Sequence, residues 1–310
     1  MVYLRYAGPN SAYKNDSSVL TNNHFRFTGR TKEPAIAFLT TVKSSIPDDD
    51  DKITADGKNA VLFFLEPVSL HATLDAGNFK NGLFTGSKSQ DQFAAFNSQI
   101  ALSHDPAEAG NILRKSIDQH PDSYVSAYLI SCHHFGLDTL SHYYGSLTPN
   151  LKKSVYGKSI LENIHKRELV APGRQAPAFT REDMNGKAIS LRDFRGKYVL
   201  LEFWGSWNNA CRTENQELLT EYNQYKEKDF TIIGASLDGK KTRKTLLAVI
   251  EKEHLPWVQL ANAKGADNPV AIQYCVESLP ANFLIDPNGK IIATDIRGES
   301  LSKKLNSMLK

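Results

Sequence analysis

The sequence predicts an α/β C-terminal domain, a mixed sheet flanked by helices, preceded by a small β-sandwich and a helical spacer. Short strand-like runs between turn signals fill the first part of the chain, and apolar strands alternate with helical patterns in the last part. The length of 310 residues allows about two domains of roughly 150 residues each. We predict three segments, residues 1–87, 88–168 and 169–310.

The first segment is rich in strand signals. Residues Phe25 to Thr28 alternate between apolar and polar side chains, and Ala60 to Leu65 form a buried type of strand. Turn pairs such as Asp56-Gly57 and Asn81-Gly82 separate such runs. Short strands at this spacing favour a small antiparallel sandwich.

The second segment has helical periodicity. Phe93, Phe96 and Ile100 follow the spacing of one helix face. A later apolar helical pattern runs through Leu129 to Cys132, and we expect Cys132 to lie in the core. These patterns predict a helical spacer.

The third segment alternates strands and helices. The pair Asn185-Gly186 predicts a hairpin turn. Tyr198 to Phe203 and Phe230 to Leu237 are almost continuously apolar, which is typical of strands buried on both faces. An amphipathic helix is predicted near the end of the chain, from Glu299 to Leu309.

Charge and cysteine content exclude several classes of protein. A net charge of +3 is too small for the basic excess of a nucleic-acid-binding protein. The longest apolar run, Ala60 to Leu65, is far too short to span a membrane. The three cysteines are far apart and form no CxxC pair, which excludes a disulfide-stapled scaffold and a cysteine-rich zinc module.

Two groups of residues invite a metal interpretation, and we expect neither to bind one. The run Asp48 to Lys52 is interpreted as a solvated loop rather than a cation site. The histidines His133, His134 and His142 lack further ligands at recognisable spacing. We therefore predict neither a metal nor a cofactor.

The most informative stretch runs from Lys197 to Asn215, where a buried strand leads directly into a helix. This stretch resembles the thioredoxin-fold family, and more closely its TlpA/ResA-like, AhpC/TSA-type branch of cell-envelope thiol-disulfide oxidoreductases, which carry FWxxWCxxC here. The resemblance extends over most of residues 169–310. The matching residues are Phe203-Trp204, Trp207, Cys211, Arg212 and Glu214, with Ala176-Pro177, Phe194 to Lys197 and Ser278-Leu279-Pro280 outside the stretch.

One departure from the family motif bears directly on function. In the family the first cysteine is the nucleophile at a helix N-terminus, and the second resolves the mixed disulfide. The resemblance places Asn208 at the first position and Cys211 at the second. We therefore expect normal dithiol reductase activity to be lost. Asparagine is a favoured helix N-cap, and Cys211 is either a reactive monothiol or a small buried hydrophobe.

The resemblance also implies roles for residues around the motif. Glu202 aligns with the buried carboxylate that accepts a proton, and Glu214 with a carboxylate that tunes the cysteines. Leu279 and Pro280 occupy the cis-proline position, beside a groove where an extended peptide can bind. A disulfide between Cys211 and Cys275 is disfavoured, because it requires a short Cα separation.

Two hypotheses of function remain open. The first is a thiol-disulfide oxidoreductase family protein with a degenerate site, which leaves open a monothiol role for Cys211. The second is a non-catalytic module that binds a protein or peptide, including thiol- or disulfide-bearing ones. A peroxiredoxin mechanism is disfavoured, because Gly205 stands where those enzymes have Thr or Ser.

The resemblance also implies a location. Members of the family work in the cell envelope or periplasm and carry an export signal or lipid anchor. This sequence shows neither and opens on strand-like residues, so we expect upstream sequence to be missing.

Overall fold

The computed structural model describes residues 1–7, 13–41, 59–75, 78–260 and 265–309. The chain forms two compact units, residues 1–162 and 163–310. The predicted fold class is confirmed, because a β-rich region with helices precedes a mixed sheet covered by helices. The division into three segments stays a prediction, and the acidic run Asp48 to Lys52 lies outside the described residues.

The first unit contains a four-stranded antiparallel sheet and a separate hairpin. The sheet has the order β2-β1-β3-β4, and the hairpin pairs β5 with β6. Alternate residues of the sheet, such as Leu4, Ala37 and Phe63, share a buried core. The strands are β1 (Val2–Ala7), β2 (Tyr13–Ser18), β3 (Ala35–Thr40), β4 (Ala60–Leu65), β5 (His71–Asp75) and β6 (Asn78–Thr85).

Six helices follow these strands among the described residues, and the last of them extends into the second unit. Polar caps start several of them: Ser87 accepts from the amide of Gln90, and Asp105 accepts from that of Glu108. Among the described residues, none of the helices has the length and apolar character needed to cross a membrane. They are α1 (Lys88–Ala101), α2 (Pro106–Gln119), α3 (Tyr124–Cys132), α4 (Leu137–Ser146), α5 (Pro149–Lys153) and α6 (Val155–Glu168).

The second unit is built on a five-stranded mixed sheet in the order β11-β10-β9-β12-β13. Strands β9, β10 and β11 are parallel, whereas β12 is antiparallel to β9 and β13 is antiparallel to β12. The predicted hairpin around Asn185-Gly186 is present as β7 and β8. The strands are β7 (Thr180–Glu182), β8 (Ala188–Ser190), β9 (Tyr198–Trp204), β10 (Phe230–Ser236), β11 (Val258–Leu260), β12 (Ala281–Ile285) and β13 (Ile291–Thr294).

Helices cover this sheet, and the two faces of the central strand β9 lie in different cores. Val199, Leu201 and Phe203 belong to one core, whereas Leu200 and Trp204 belong to the other. The second core also contains Cys211. Glu202 alternates with Leu200 and Trp204 along β9, so it lies on the face of the strand that points toward this cysteine. The helices are α7 (Asn209–Tyr225), α8 (Arg243–Lys252), α9 (Pro269–Gln273) and α10 (Gly298–Met308).

Three local predictions are wrong. Phe25 to Thr28 pairs with no strand among the described residues: alternate side chains pack on the core, but the backbone joins no ladder. Asn81-Gly82 lies inside β6 rather than in a turn, because β6 already begins at Asn78, which pairs with Asp75. Cys132 is exposed rather than in the core, because it is the last residue of α3, beyond the buried Leu129.

Candidate functional site

The site is the junction between β9 and α7, where a short loop connects a buried strand to the start of a helix. Gly205 lies at the beginning of this loop and allows the indole of Trp207 to fold back over it. A Cβ atom at position 205 would lie 2.9 Å from the indole ring. The indole is nevertheless 57% exposed, so it presents an aromatic surface beside the helix start.

Asn208 is the N-cap of α7. Its backbone is extended, and its side-chain Oδ1 accepts hydrogen bonds from the amides of Ala210 at 2.9 Å and Cys211 at 3.2 Å. These are two of the amide groups that a helix start leaves without a partner inside the helix. The Nδ2 of Asn208 lies 3.5 Å from the carbonyl oxygen of Leu279, at the outer limit for a hydrogen bond.

Cys211 lies in the first turn of α7 and is buried in the core, with no exposed surface. Burial raises the pKa of its thiol to about 11, and the nearby carboxyl groups of Glu202 and Glu214 add to the rise. Backbone hydrogen bonds at Gly205 and at Cys211 itself oppose the rise without overcoming it. The thiol is therefore protonated and shielded at neutral pH. Cys132, Cys211 and Cys275, all within the described residues, form no disulfide.

Glu202 is a fully buried carboxyl group on β9, on the face that points toward Cys211. Neither of its carboxyl oxygens has a hydrogen-bond partner among the described residues. Burial raises its pKa well above the usual range, and the neighbouring Glu214 raises it further, whereas Arg297 and Asn282 act in the opposite direction. Burial therefore favours the neutral form of this carboxyl group, since an ionised carboxylate is expensive to bury.

Glu214 lies one turn beyond Cys211 on α7 and is 5% exposed. Its Oε2 accepts from Nε of Arg297 at 2.7 Å, and its Oε1 accepts from Nδ2 of Asn282 at 3.1 Å. Burial raises the pKa of Glu214, while the hydrogen bond and charge of Arg297 act against that rise. Unlike Glu202, this carboxyl group has both oxygens paired.

The segment before β12 closes the other side of the site. The Leu279–Pro280 peptide is cis, and the carbonyl of Pro280 accepts from Nη2 of Arg297 at 2.5 Å. Leu279 is half-buried against both cores of the unit. Between this segment and α7 lies a groove of about 470 Å³, lined by Ala210, Thr213, Glu214, Glu217, Pro280 and Arg297.

A buried carboxylate outside the groove holds the loop that carries Trp207 and Asn208. Asp238, which follows β10, is 1% exposed. It accepts from the amide of Ser206 at 2.9 Å, from Oγ of Ser206 at 2.6 Å and from Oγ of Ser236 at 2.7 Å. These bonds connect the loop to the neighbouring strand of the sheet.

The structure brings the predicted site residues together and adds three. Cys211, Glu202 and Glu214 lie close enough for their charges to interact, and Asn208 joins the helix start to Leu279. Sequence reasoning missed the roles of Arg297, Asn282 and Asp238. Asn282 carried a signal, because it is a polar residue within an otherwise apolar strand. Within the described ranges, no three His, Cys, Asp or Glu side chains cluster as a metal site would require.

Comparison with known proteins gives relatives for both parts of the chain. Residues 172–294 match the AhpC/TSA family, and residues 1–93 match a domain of unknown function (DUF4369). The thiol-disulfide oxidoreductase ResA of Bacillus thuringiensis subsp. konkukian is 37% identical over 145 residues, which cover 47% of this chain and 80% of that protein. ResA of Bacillus subtilis is 33% identical over 126 residues, 41% of this chain and 68% of that protein.

Among solved structures, the thioredoxin domain of a thiol-disulfide oxidoreductase from Bacteroides vulgatus is 37% identical to this chain. The match covers 45% of this chain and 99% of that domain, with a TM-score of 0.42. The residues that match the AhpC/TSA family include the strand, loop and helix that carry Glu202, Asn208 and Cys211. By its similarity to ResA over most of that protein's length, the chain belongs to the AhpC/TSA family, as a TlpA/ResA-like thioredoxin-fold member of the thiol-disulfide oxidoreductases.

Proposed function

We propose that this chain is a member of the thiol-disulfide oxidoreductase family whose site has lost the dithiol cycle. Exchange requires a thiolate to attack a disulfide and a second thiol to release the product. Asn208 takes the place of the attacking cysteine, and its amide cannot form a disulfide. The site then has one thiol, Cys211, where the reaction needs two.

The observation that carries this proposal is the bonding of Asn208. In an active site of this type, the free amides and the dipole of the helix start would stabilise a thiolate. Here the side chain of Asn208 accepts from the amides of Ala210 and Cys211. The helix start is therefore used to cap the helix, so the substitution preserves the local fold while removing the nucleophile.

The burial of Cys211 speaks against a monothiol function. With a thiol pKa of about 11, about one thiol in ten thousand is ionised at pH 7. The sulfur also has no exposed surface through which a partner disulfide could reach it. We therefore favour the interpretation of Cys211 as a small buried hydrophobe over a reactive monothiol.

Reduction of insulin disulfides by dithiothreitol tests the proposal. We expect the wild-type chain to leave the rate at the uncatalysed level. The Asn208→Cys variant should accelerate it, because Glu202, Trp207 and Pro280 remain around the restored pair. Asn209→Cys, which adds a cysteine one residue beyond the motif position, is the matched control and should stay inactive. Robust turnover by the wild type would overturn the proposal.

A second candidate function is the binding of a protein or peptide without catalysis. The observation that favours it is the groove of about 470 Å³ lined by Ala210 and Pro280, together with the exposed Trp207 three residues before Ala210. An extended peptide can pair with backbone groups along such a groove, and this does not require a thiol. We expect a partner isolated with the wild type to bind Cys211→Ala equally well and Trp207→Ala more weakly. Equal binding by all three proteins would contradict this assignment of the site.

We also infer that the chain works in the cell envelope on protein partners, by analogy with the family it resembles. Cys132 is an exposed residue and provides a test in cells that produce the protein, with long labelling times because burial of its sulfur raises the pKa of the thiol to about 11. A maleimide that cannot cross the cytoplasmic membrane should label Cys132 in intact cells after permeabilisation of any outer membrane. Labelling only after lysis would contradict an envelope location. Cys132→Ala is the control for labelling at other cysteines.

A further inference from the structure

We propose that Arg297 is a positioning residue of the site, which joins Glu214 on α7 to the carbonyl of Pro280 and so fixes the two walls of the groove. The inference deepens the proposed function, and it rests on that function only where the Asn208→Cys variant is used. Arg297 lies immediately before α10, at the N-cap position. Its side chain does not cap that helix and instead lines the groove.

The geometry of the guanidinium makes this connection. Its Nε donates to Oε2 of Glu214 at 2.7 Å, and its Nη2 donates to the carbonyl oxygen of Pro280 at 2.5 Å. The two acceptors lie on different elements, 83 and 17 residues away in the chain. A planar guanidinium can serve both acceptors at once, whereas the single ammonium of a lysine cannot reproduce that arrangement.

Asn282 supports the same connection through bonds to Glu214 and to the backbone of Ile296. Its side chain is fully buried. Its Oδ1 accepts from the amide of Ile296 at 3.1 Å, and its Nδ2 donates to the carbonyl of Ile296 at 3.0 Å and to Glu214 at 3.1 Å. It therefore holds the backbone next to Arg297 and the carboxyl group that Arg297 binds. Glu214 is fixed through both oxygens by two residues from the same end of the sheet.

The charges around Glu214 show why a cation is needed there. Glu217 on the same helix raises the pKa of Glu214, and the charge of Glu214 in turn raises the pKa of Glu202 on β9. Asp295, 3.6 Å from Arg297, adds a further acidic group on the β13–α10 segment. Arg297 is the cation that the described residues place against this cluster. Without it Glu214 would be a buried carboxylate facing other acids, an expensive arrangement.

The first measurement is the titration of the Glu214 carboxyl group by carbon NMR, in the otherwise unaltered full chain. Because Arg297 favours the ionised form, Arg297→Gln should raise the pKa of Glu214 above its value in the wild type. Arg297→Lys keeps a positive charge, so the pKa of Glu214 in that variant should stay close to its wild-type value. The matched control is Lys303→Gln, which removes the same charge from an exposed ion pair with Glu299 on α10 and should leave Glu214 unchanged.

The second measurement uses the Asn208→Cys background, in insulin reduction. We expect Arg297→Gln to lower kcat/KM about tenfold or more, the size of effect expected for the loss of one charge-assisted hydrogen bond. In the same background, Arg297→Lys should show the pH profile of Asn208→Cys alone. Its KM should remain higher than that of Asn208→Cys, because one ammonium does not hold both Glu214 and Pro280. Lys303→Gln should behave like Asn208→Cys alone.

The two measurements separate the two claims. If Asn208→Cys is inactive, the proposed function loses its restoration test, while the titration of Glu214 still decides the role of Arg297. An unchanged pKa of Glu214 in Arg297→Gln would overturn the inference. If Arg297→Gln does not fold, Arg297→Lys in the Asn208→Cys background decides instead, and a KM equal to that of Asn208→Cys alone would overturn the inference.

Discussion

The stability of the start of α7 depends on the side chain of Asn208, its N-cap. In Asn208→Ala, the amides of Ala210 and Cys211 lose the oxygen that accepts from both, at 2.9 and 3.2 Å. Water can replace part of this interaction, because Ala210 is exposed, whereas Cys211 is buried. We expect the free energy of unfolding to fall by about 1 kcal/mol, within the range of about 0.5–2 kcal/mol for loss of an N-cap.

Urea unfolding followed by tryptophan fluorescence measures this change in the correct part of the molecule. The chain has three tryptophans, Trp204, Trp207 and Trp257, and all lie in the second unit. For a denaturant slope of about 2 kcal/mol/M, a loss of about 1 kcal/mol lowers the urea midpoint by about 0.5 M. Asn208→Asp should keep or increase stability, because its carboxylate accepts the same bonds and interacts favourably with the helix dipole.

Asn209→Ala is the matched control for this prediction. It removes the same amide from the next residue, which is exposed and is not the cap, so the change should stay within about 0.5 kcal/mol. Equal midpoints for Asn208→Ala and Asn209→Ala would refute the reasoning. The same conclusion would follow if Asn208→Asp lost as much stability as Asn208→Ala.

Three further predictions concern buried groups of the site. Cys211 should react with iodoacetamide far more slowly in the folded chain than in urea, with a rate that rises toward a thiol pKa of about 11; fast labelling at pH 7 would contradict this. Because burial raises the pKa of Glu202 in the folded state, stability is lost as pH rises above the unfolded pKa of about 4.3. The unfolding free energy of Glu202→Gln, relative to wild type, should therefore increase from pH 5 to pH 8, and a pH-independent difference would contradict the assignment. Asp238→Ala leaves three donors of Ser206 and Ser236 without their acceptor and should lower the unfolding free energy by about 3 kcal/mol or more; a loss below about 1 kcal/mol would contradict its structural role.

Periodicity predicted most strands and helices of the second unit, because their patterns arise from burial within each element. Tyr198 to Phe203, for example, is apolar at successive positions because both faces of β9 are covered. The same rule failed at Phe25 to Thr28. Alternate burial is present there, but a strand also needs a partner for its backbone, and local sequence does not reveal that partner.

Some residues of the candidate site were likewise identifiable from the sequence, and others were not. Trp207, Asn208, Cys211 and Glu214 were identifiable because they lie within one contiguous motif on a strand–helix junction. Arg297 was not, because its bonds to Glu214 and Pro280 join residues that are distant in the chain and meet only in the folded sheet. Burial of Cys211 also required the structure, since a thiol at a helix start is equally compatible with activation by the dipole.

The central claim, that the site has no dithiol couple, is tested most directly by a redox titration of the full chain. Protein equilibrated in dithiothreitol buffers of graded potential is alkylated, and its mass reports how many thiols remain. We predict that the wild type keeps all three thiols of Cys132, Cys211 and Cys275 across the series, whereas Asn208→Cys loses two in one cooperative transition. A wild-type chain in which Cys211 joins another cysteine in such a transition would contradict the account.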